Sequence, residues 1–341
     1  MVVVSKLFAF LYLFNLEFIE PYGKLELNEW WLIFHRWDSA FYDRIATFGY
    51  MELKDWAFLP AFPATIKAIN FFVNHSATST AIAGIICGVL WIPVYYKVAA
   101  SYVGDKYSTY STLLFVFFPT VYLFTSIGYS EGLSLTTTLL GWYFYRKNKH
   151  YMSSITLAVS ALTRIPGIIL PVIIFLHQLA QKKIKQALIY LLPAVGLTIW
   201  AVYGFGQTGE LMAPVAALQK TAWNPHLNFL EFFLVPLTKG KPPTFWSDYP
   251  VFFIITLAMF TYLYIRAFNV EKVLGVYSIC LFVTYLSTGY FMSLSRYLPF
   301  TFPIWIDLKV KKKSTIGLYV IFSFVLALLL WIEFLNDRWV G

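Results

Sequence analysis

Long apolar runs recur along the whole chain, and they limit its fold more than any other feature. A bilayer's hydrocarbon core takes about 20 apolar residues per helix. Within it every backbone N–H and C=O must be satisfied internally. The runs therefore read as an all-α polytopic membrane protein. Only 13% of residues are charged, against roughly 25% in soluble domains. The aromatic content of 20% suits many membrane–water interfaces. Cys87 and Cys280 sit inside apolar segments and read as buried thiols, silent on redox compartment. "MVVVSKLFAFLYLFNLEF" resembles a signal peptide with Lys6 as its basic region. No small-residue cleavage site follows, so an uncleaved first helix is expected.

Eleven spans are expected, at about residues 4–19, 79–101, 108–127, 131–146, 151–165, 166–181, 184–205, 249–268, 272–291, 297–309 and 315–335. The stretch 59–74, "LPAFPATIKAINFFVN", decides the topology, because counting it as a span reverses every later loop. If it lies on the membrane, the N-terminal side holds Lys6, Lys97/Lys106, Arg146/Lys147/Lys149, Lys182/Lys183/Lys185, Arg266/Lys272 and "KVKKK" at 309–313. That is 15 of the 26 basic residues, opposed only by Asp105, Glu271 and Asp307. Excess Lys and Arg marks the cytoplasmic face. The net charge of +9 is thus mainly a topology signal, with some contact to anionic membrane lipids, and no nucleic-acid partner is expected. Two segments then face outward, 20–78 and 206–248, and the "NHS" glycosylation acceptor at Asn74–Ser76 falls outside.

The first outer segment carries "FHRWDSAFYDRIATFGY" at 34–50, a concentration of charge in an oily chain. On a helical wheel over 34–48, Phe34, Trp37, Phe41, Ile45 and Phe48 form an apolar stripe suited to an interfacial helix. Asp38, Tyr42 and His35 fall together at its edge. Arg36 and Asp43 fall on the far side, where Asp43 reads as a solvated charge near Arg36 or Arg44. A carboxylate such as Asp38 at a membrane interface is costly without a task or a partner. A helix cap or a partner for Arg36 is the plain alternative.

"RWDSAFYDRIATFGY" followed by "KDWAFLPAFP" resembles the first outer loop of the GPI mannosyltransferase 2 family. "FFPTVYLFTSIGYSEGL" at 117–133 is similar to that family's Gly-Tyr-Ser-Glu block, and "ALTRIPGIIL" at 161–170 to its Thr-Arg-x-x-Gly turn. The order and spacing agree over roughly the first 180 residues. The C-terminal half matches by hydropathy and a loose "SRYLPF" at 295–300. The chain is short for a eukaryotic member and is similar in length to a prokaryotic-type one. Asp55 stands where the family often has an asparagine.

The resemblance implies a GT-C fold in one membrane domain, with a catalytic module at 1–205 and the outer loop 206–248 plus C-terminal helices after it. It implies transfer of mannose, with inversion, from dolichyl- or polyprenyl-phosphate mannose to a hydroxyl of a glycolipid or glycan, outside the cytosol. Such a reaction needs one carboxylate as base, for which Asp38 is the candidate. It needs cations for the lipid phosphate, for which Arg164 and Arg296 are the candidates, with snorkelling to headgroups as the alternative reading of each. His35, Tyr42, Asp55, Trp56, Tyr129, Ser130, Glu131 and Tyr297 are candidates for binding sugar or acceptor. "GYSE" also reads as a turn with a helix-capping acid. No metal or other cofactor is expected: there is no Asp-x-Asp pair, no close Cys/His set and no Gly-rich phosphate loop. A small membrane partner subunit is compatible with this reading. The rivals are transfer of another polyprenyl-phosphate-linked sugar, a lipid-sugar flippase or transporter, and a non-catalytic scaffold subunit.

Overall fold

The computed structural model describes residues 1–16, 24–220, 250–287, 293–308, 310 and 312–340. Most of the expected outer loop 206–248, and Lys309 and Lys311 of "KVKKK", lie outside these residues. All regular structure among the described residues is helical. The chain groups into two compact units, one of Met1–Glu26, Tyr95–Phe124 and Pro225–Gly341, the other of Leu27–Val94 and Thr125–Asn224.

Three described helices are long and apolar enough to cross a membrane: Ser76–Val116, Ile184–Thr208 and Lys313–Leu335. The first is interrupted at Gly104, with φ 75° and ψ 167°. The interruption is a fold-back. In a continuous helix Tyr95 and Phe115 would stand about 30 Å apart, yet their ring centroids are 5.0 Å apart and Tyr95 Oη lies 2.5 Å from Ser111 Oγ. This gives separate helices near the expected spans 79–101 and 108–127.

In the first unit, Tyr102 donates to Glu271 at 2.6 Å and Arg266 pairs with Asp307 at 2.7 Å. The sequence assigned all four residues to tips on one side of the membrane. The expected span 297–309 is corrected. It is a run of short turns, Leu294–Tyr297, Leu298–Phe300 and Pro303–Ile306. Pro299 and Pro303 each remove a backbone donor, so no long ladder can run through.

In the second unit, Glu131–Arg146 and His150–Thr163 pack as a hairpin. Lys149 N–H reaches back to Phe144 O at 2.9 Å across left-handed Asn148, closing the first helix. Thr138 and Ser160 bond across the pair at 2.7 Å, and Ser153 Oγ donates to Gly141 O at 2.8 Å. Small residues and hydroxyls of this kind let membrane helices approach closely. Leu192–Thr208 packs on His150–Thr163. Ala61–Val73, within the ambiguous stretch, has 13 residues. It is about 20 Å long, shorter than a hydrocarbon core. It buries Phe62, Pro63 and Ile66 while Phe71 and Phe72 are exposed.

Candidate active site

Helix Asp38–Phe48 begins at the candidate carboxylate. The preceding turn, Leu27–Phe34, is a 3-10 helix, and Trp37 breaks the run with φ 52° and ψ −119°. A bulky residue held at positive φ costs on the order of 1–3 kcal/mol and persists only where its surroundings hold it. Here Ser39 Oγ donates to Arg36 O at 2.5 Å, closing the turn from the other side. The helical phase expected over 34–48 therefore does not exist before Asp38, and the apolar stripe fails with it. Phe34 and Ile45 are buried, whereas Phe48 is 70% exposed. Asp38 sits in the first turn, where the helix dipole favours a negative charge. At the other end Gly49, with φ 80°, supplies a backbone conformation other residues avoid.

The turn carrying "GYSE" lies flat against the helix that starts at Ser76, and glycine makes this approach possible. A Cβ on Gly84 would stand 2.1 Å from Ile127 O, and one on Gly88 would stand 1.7 Å from Thr125 O. The G-x-x-x-G spacing in "GIICG" was the available signal for this contact, and sequence reasoning passed over it. Gly128 N–H donates to Phe34 O at 3.0 Å, tying the turn to the outer segment. Tyr129 Oη then accepts from the Asp38 backbone N–H at 3.1 Å.

A second hydrogen-bonded set is built on the next two residues of the turn. Tyr42 Oη donates to Ser130 Oγ at 2.8 Å. Arg164 Nη1 donates to the same Ser130 Oγ at 3.3 Å and to Glu131 Oε1 at 2.7 Å. Glu131 is 2% exposed, so its pairing with Arg164 is what makes a buried carboxylate tolerable. Burial pushes the Tyr42 hydroxyl well above the usual tyrosine range. The nearby Arg164 opposes this, while Glu131 and Asp38 add to it. Tyr42 therefore stays a proton donor at neutral pH. Asp38, Tyr42, Tyr129, Ser130, Glu131 and Arg164, drawn from three separate sequence motifs, are thus brought to one place in the second unit.

Other expected residues are placed elsewhere in the second unit. His35 Nε2 lies 3.0 Å from Asp43 Oδ2. The sequence grouped His35 with Asp38 and read Asp43 as a solvated charge near Arg36 or Arg44; both are corrected, because residues 34–37 do not share the helix's phase, Asp43 meets His35, and Arg44 turns to Glu52 and Asp55. Burial would raise the Asp43 carboxyl, but hydrogen bonds from His35 and Ser76 and the fields of His35 and His75 hold it below the usual range. Asp55 is fully buried, ion-paired with Arg44, and its Oδ2 accepts from the Met51 and Glu52 backbone N–H groups at 3.0 and 2.9 Å. This is a capping box on the turn Leu53–Ala57. Trp56 is 1% exposed and packs among Tyr50, Trp200 and Tyr203.

Arg296 and Tyr297 belong to the first unit. Arg296 is 2% exposed, with its guanidinium 4.7, 5.5 and 5.7 Å from the ring centroids of Phe124, Tyr297 and Trp339. Tyr297 stacks on Tyr285 at 5.4 Å. Among the described residues no group of three or more His, Cys, Asp or Glu is arranged to hold a metal ion.

No family model matches the chain. Over 140 residues it is 23% identical to GPI mannosyltransferase 2 of Schizosaccharomyces pombe, a match covering 39% of this chain and 29% of that protein. Its structure is similar to ArnT from Cupriavidus metallidurans bound to undecaprenyl phosphate, with a TM-score of 0.54, 14% identity, and coverage of 94% of this chain and 61% of that one. The apo form of the same protein gives a TM-score of 0.56 at the same identity and coverage. The matches thus span less than a third of the curated relative and about three-fifths of the solved chains. The likeness is one of fold, and three of the described helices are long and apolar enough to cross a membrane.

Proposed function

We propose that this protein is an inverting membrane glycosyltransferase that moves mannose from dolichyl- or polyprenyl-phosphate mannose to a hydroxyl of a glycolipid or glycan. The observation that carries the reading is that one turn brings two hydrogen-bonded sets together in the second unit: Tyr129 with the Asp38 backbone N–H, and Ser130 with Tyr42 and the Arg164–Glu131 pair. The similarity of the fold to that of ArnT from Cupriavidus metallidurans supports a GT-C glycosyltransferase. The partial likeness to a GPI mannosyltransferase 2 supports mannose as the sugar. The likeness to a protein whose structure holds undecaprenyl phosphate supports the lipid carrier and is neutral on the sugar. Another polyprenyl-phosphate-linked sugar is therefore the second reading.

In the reaction, the acceptor O–H gives its proton to the Asp38 carboxylate as the oxygen attacks the anomeric carbon. The bond from that carbon to the phosphate oxygen breaks, the electron pair leaves with the lipid phosphate, and the anomeric configuration inverts. Arg164 is assigned to the phosphate. Glu131 neutralises Arg164 at rest, so Arg164 acts there as the positive end of an oriented pair. Tyr42, Tyr129 and Ser130 offer hydroxyls to sugar or acceptor, and Glu131 sets the arginine. His35, Asp55 and Trp56 hold the outer segment in shape around Asp38. The cluster faces the extracytoplasmic side, with the N-terminus in the cytoplasm.

Transfer from radiolabelled polyprenyl-phosphate mannose by the purified chain, with a lipid extract as acceptor source, tests the activity. A labelled glycolipid is expected, and it should be stronger than with other sugar donors. Absence of product with every donor would favour a flippase or scaffold instead. Side-specific labelling of cysteines placed at 76 and 312 tests orientation. Outside and inside respectively are expected, and the same side for both overturns it.

A further inference from the structure

In the second unit, away from the catalytic cluster in sequence, two helix-to-helix corners meet. One is 146–150, "RKNKH"; the other is 182–186, "KKIKQ". They are built alike. Each helix closes on a left-handed residue, Asn148 or Lys182, with a backbone N–H reaching back five residues, from Lys149 to Phe144 and from Lys183 to Gln178, both at 2.9 Å. The repeated geometry turns the chain sharply enough to bring two lysine-rich corners together. His150 Nδ1 joins them, 3.0 Å from Tyr190 Oη.

Between the corners lies a cavity of about 440 Å³, lined by Asn148, Lys149, His150, Lys185, Gln186 and, on its apolar side, Met152. Among the described residues no carboxylate lines it. Burial, and after it the positive field of Lys183, lower the proton affinity of His150. The neighbouring surface is oily. Tyr151, Met152, Ile155, Ile184 and Leu188 are 73, 53, 50, 60 and 54% exposed.

We propose that this cavity binds a phosphate anion, supplied by the headgroup of an anionic phospholipid. Lys149 and Lys185 take the phosphate, Asn148 and Gln186 offer amide donors, and the acyl chains lie along Tyr151, Met152, Ile155 and Leu188. A positive cavity opening beside exposed apolar side chains matches a ligand that is charged at one end and oily at the other. A soluble phosphate ester would use the lysines and leave the apolar flank idle. The inference does not depend on the proposed transferase reaction.

Native mass spectrometry of the detergent-solubilised full chain tests this, with titrations of phosphatidylglycerol, phosphatidylcholine and glycerol 3-phosphate. Phosphatidylglycerol should bind well ahead of phosphatidylcholine. A basic residue near an anionic headgroup contributes about a fivefold effect, so Lys149→Ala/Lys185→Ala should weaken phosphatidylglycerol roughly 25-fold. Both lysines are exposed, and an unchanged melting temperature checks that the variant folds. Equal retention of both phospholipids, or wild-type phosphatidylglycerol binding by the double variant, overturns the proposal. Lysine-dependent binding of glycerol 3-phosphate as tight as that of phosphatidylglycerol overturns the lipid assignment.

Discussion

Arg164 and Arg296 carry the same group in opposite settings. Arg164 lies at a helix junction of the second unit, bonded to a carboxylate and a hydroxyl. Arg296, in the first unit, has the faces of Phe124, Tyr297 and Trp339 around its guanidinium. An ion pair fixes an arginine by charge and direction, and losing one member strands the other. Aromatic rings hold it by their quadrupoles and leave its formal charge in place. A phosphate arriving at Arg164 must compete with Glu131 for the guanidinium.

The largest expected effect lies in the polar cluster. Asp38→Asn keeps size and removes the base, so single-turnover transfer should fall about 10²–10⁴-fold. Asp43→Asn should stay within a few-fold, since it projects about 140° away around the same helix and is engaged by His35. Asp55→Asn should act on stability more than on rate, because its oxygens are spent on Arg44 and two backbone amides. An active Asp38→Asn beside a dead Asp55→Asn would move the catalytic role.

The arginines themselves come next, read by thermal and denaturant unfolding in detergent. Arg164→Ala strands buried Glu131 and should cost about 3–5 kcal/mol. Arg164→Ala/Glu131→Gln should recover most of that loss. Arg296→Ala gives up contacts with three rings and should cost at least about 1–2 kcal/mol. If Arg296→Ala costs nothing, or if the double variant at Arg164 and Glu131 recovers nothing, the contrast between the two settings is broken.

The smallest effect is a pH limb. The Asp43 carboxyl is held below its usual range in the folded chain. Its contribution is therefore fully present above the ordinary aspartate value and is lost as pH falls through the depressed one. Acid unfolding curves should show that limb in the wild type and a shallower one in Asp43→Asn. Identical curves would mean the His35 contact contributes nothing to stability.

The sequence alone determined the broad facts. Apolar runs with few charges required a membrane-embedded helical fold, because hydrocarbon leaves backbone groups no other partners. Three spaced motifs, by their resemblance to the GPI mannosyltransferase 2 family, made Asp38, "GYSE" and Arg164 candidates for one site. What it could not determine was local phase and pairing. A helical wheel over 34–48 assumed a continuous helix, and the break at Trp37 took His35 off the face of Asp38 and gave it to Asp43. Hydropathy likewise read 297–309 as a span, although its prolines divide it into short turns. Only the tertiary structure decided that Arg164 meets Glu131, 33 residues earlier in the chain, because that contact depends on how closely glycines let the turn at 125–132 settle on its neighbouring helix. Periodicity is a property of one segment and is written in it. Pairing depends on the shape of two segments at once, which neither carries by itself.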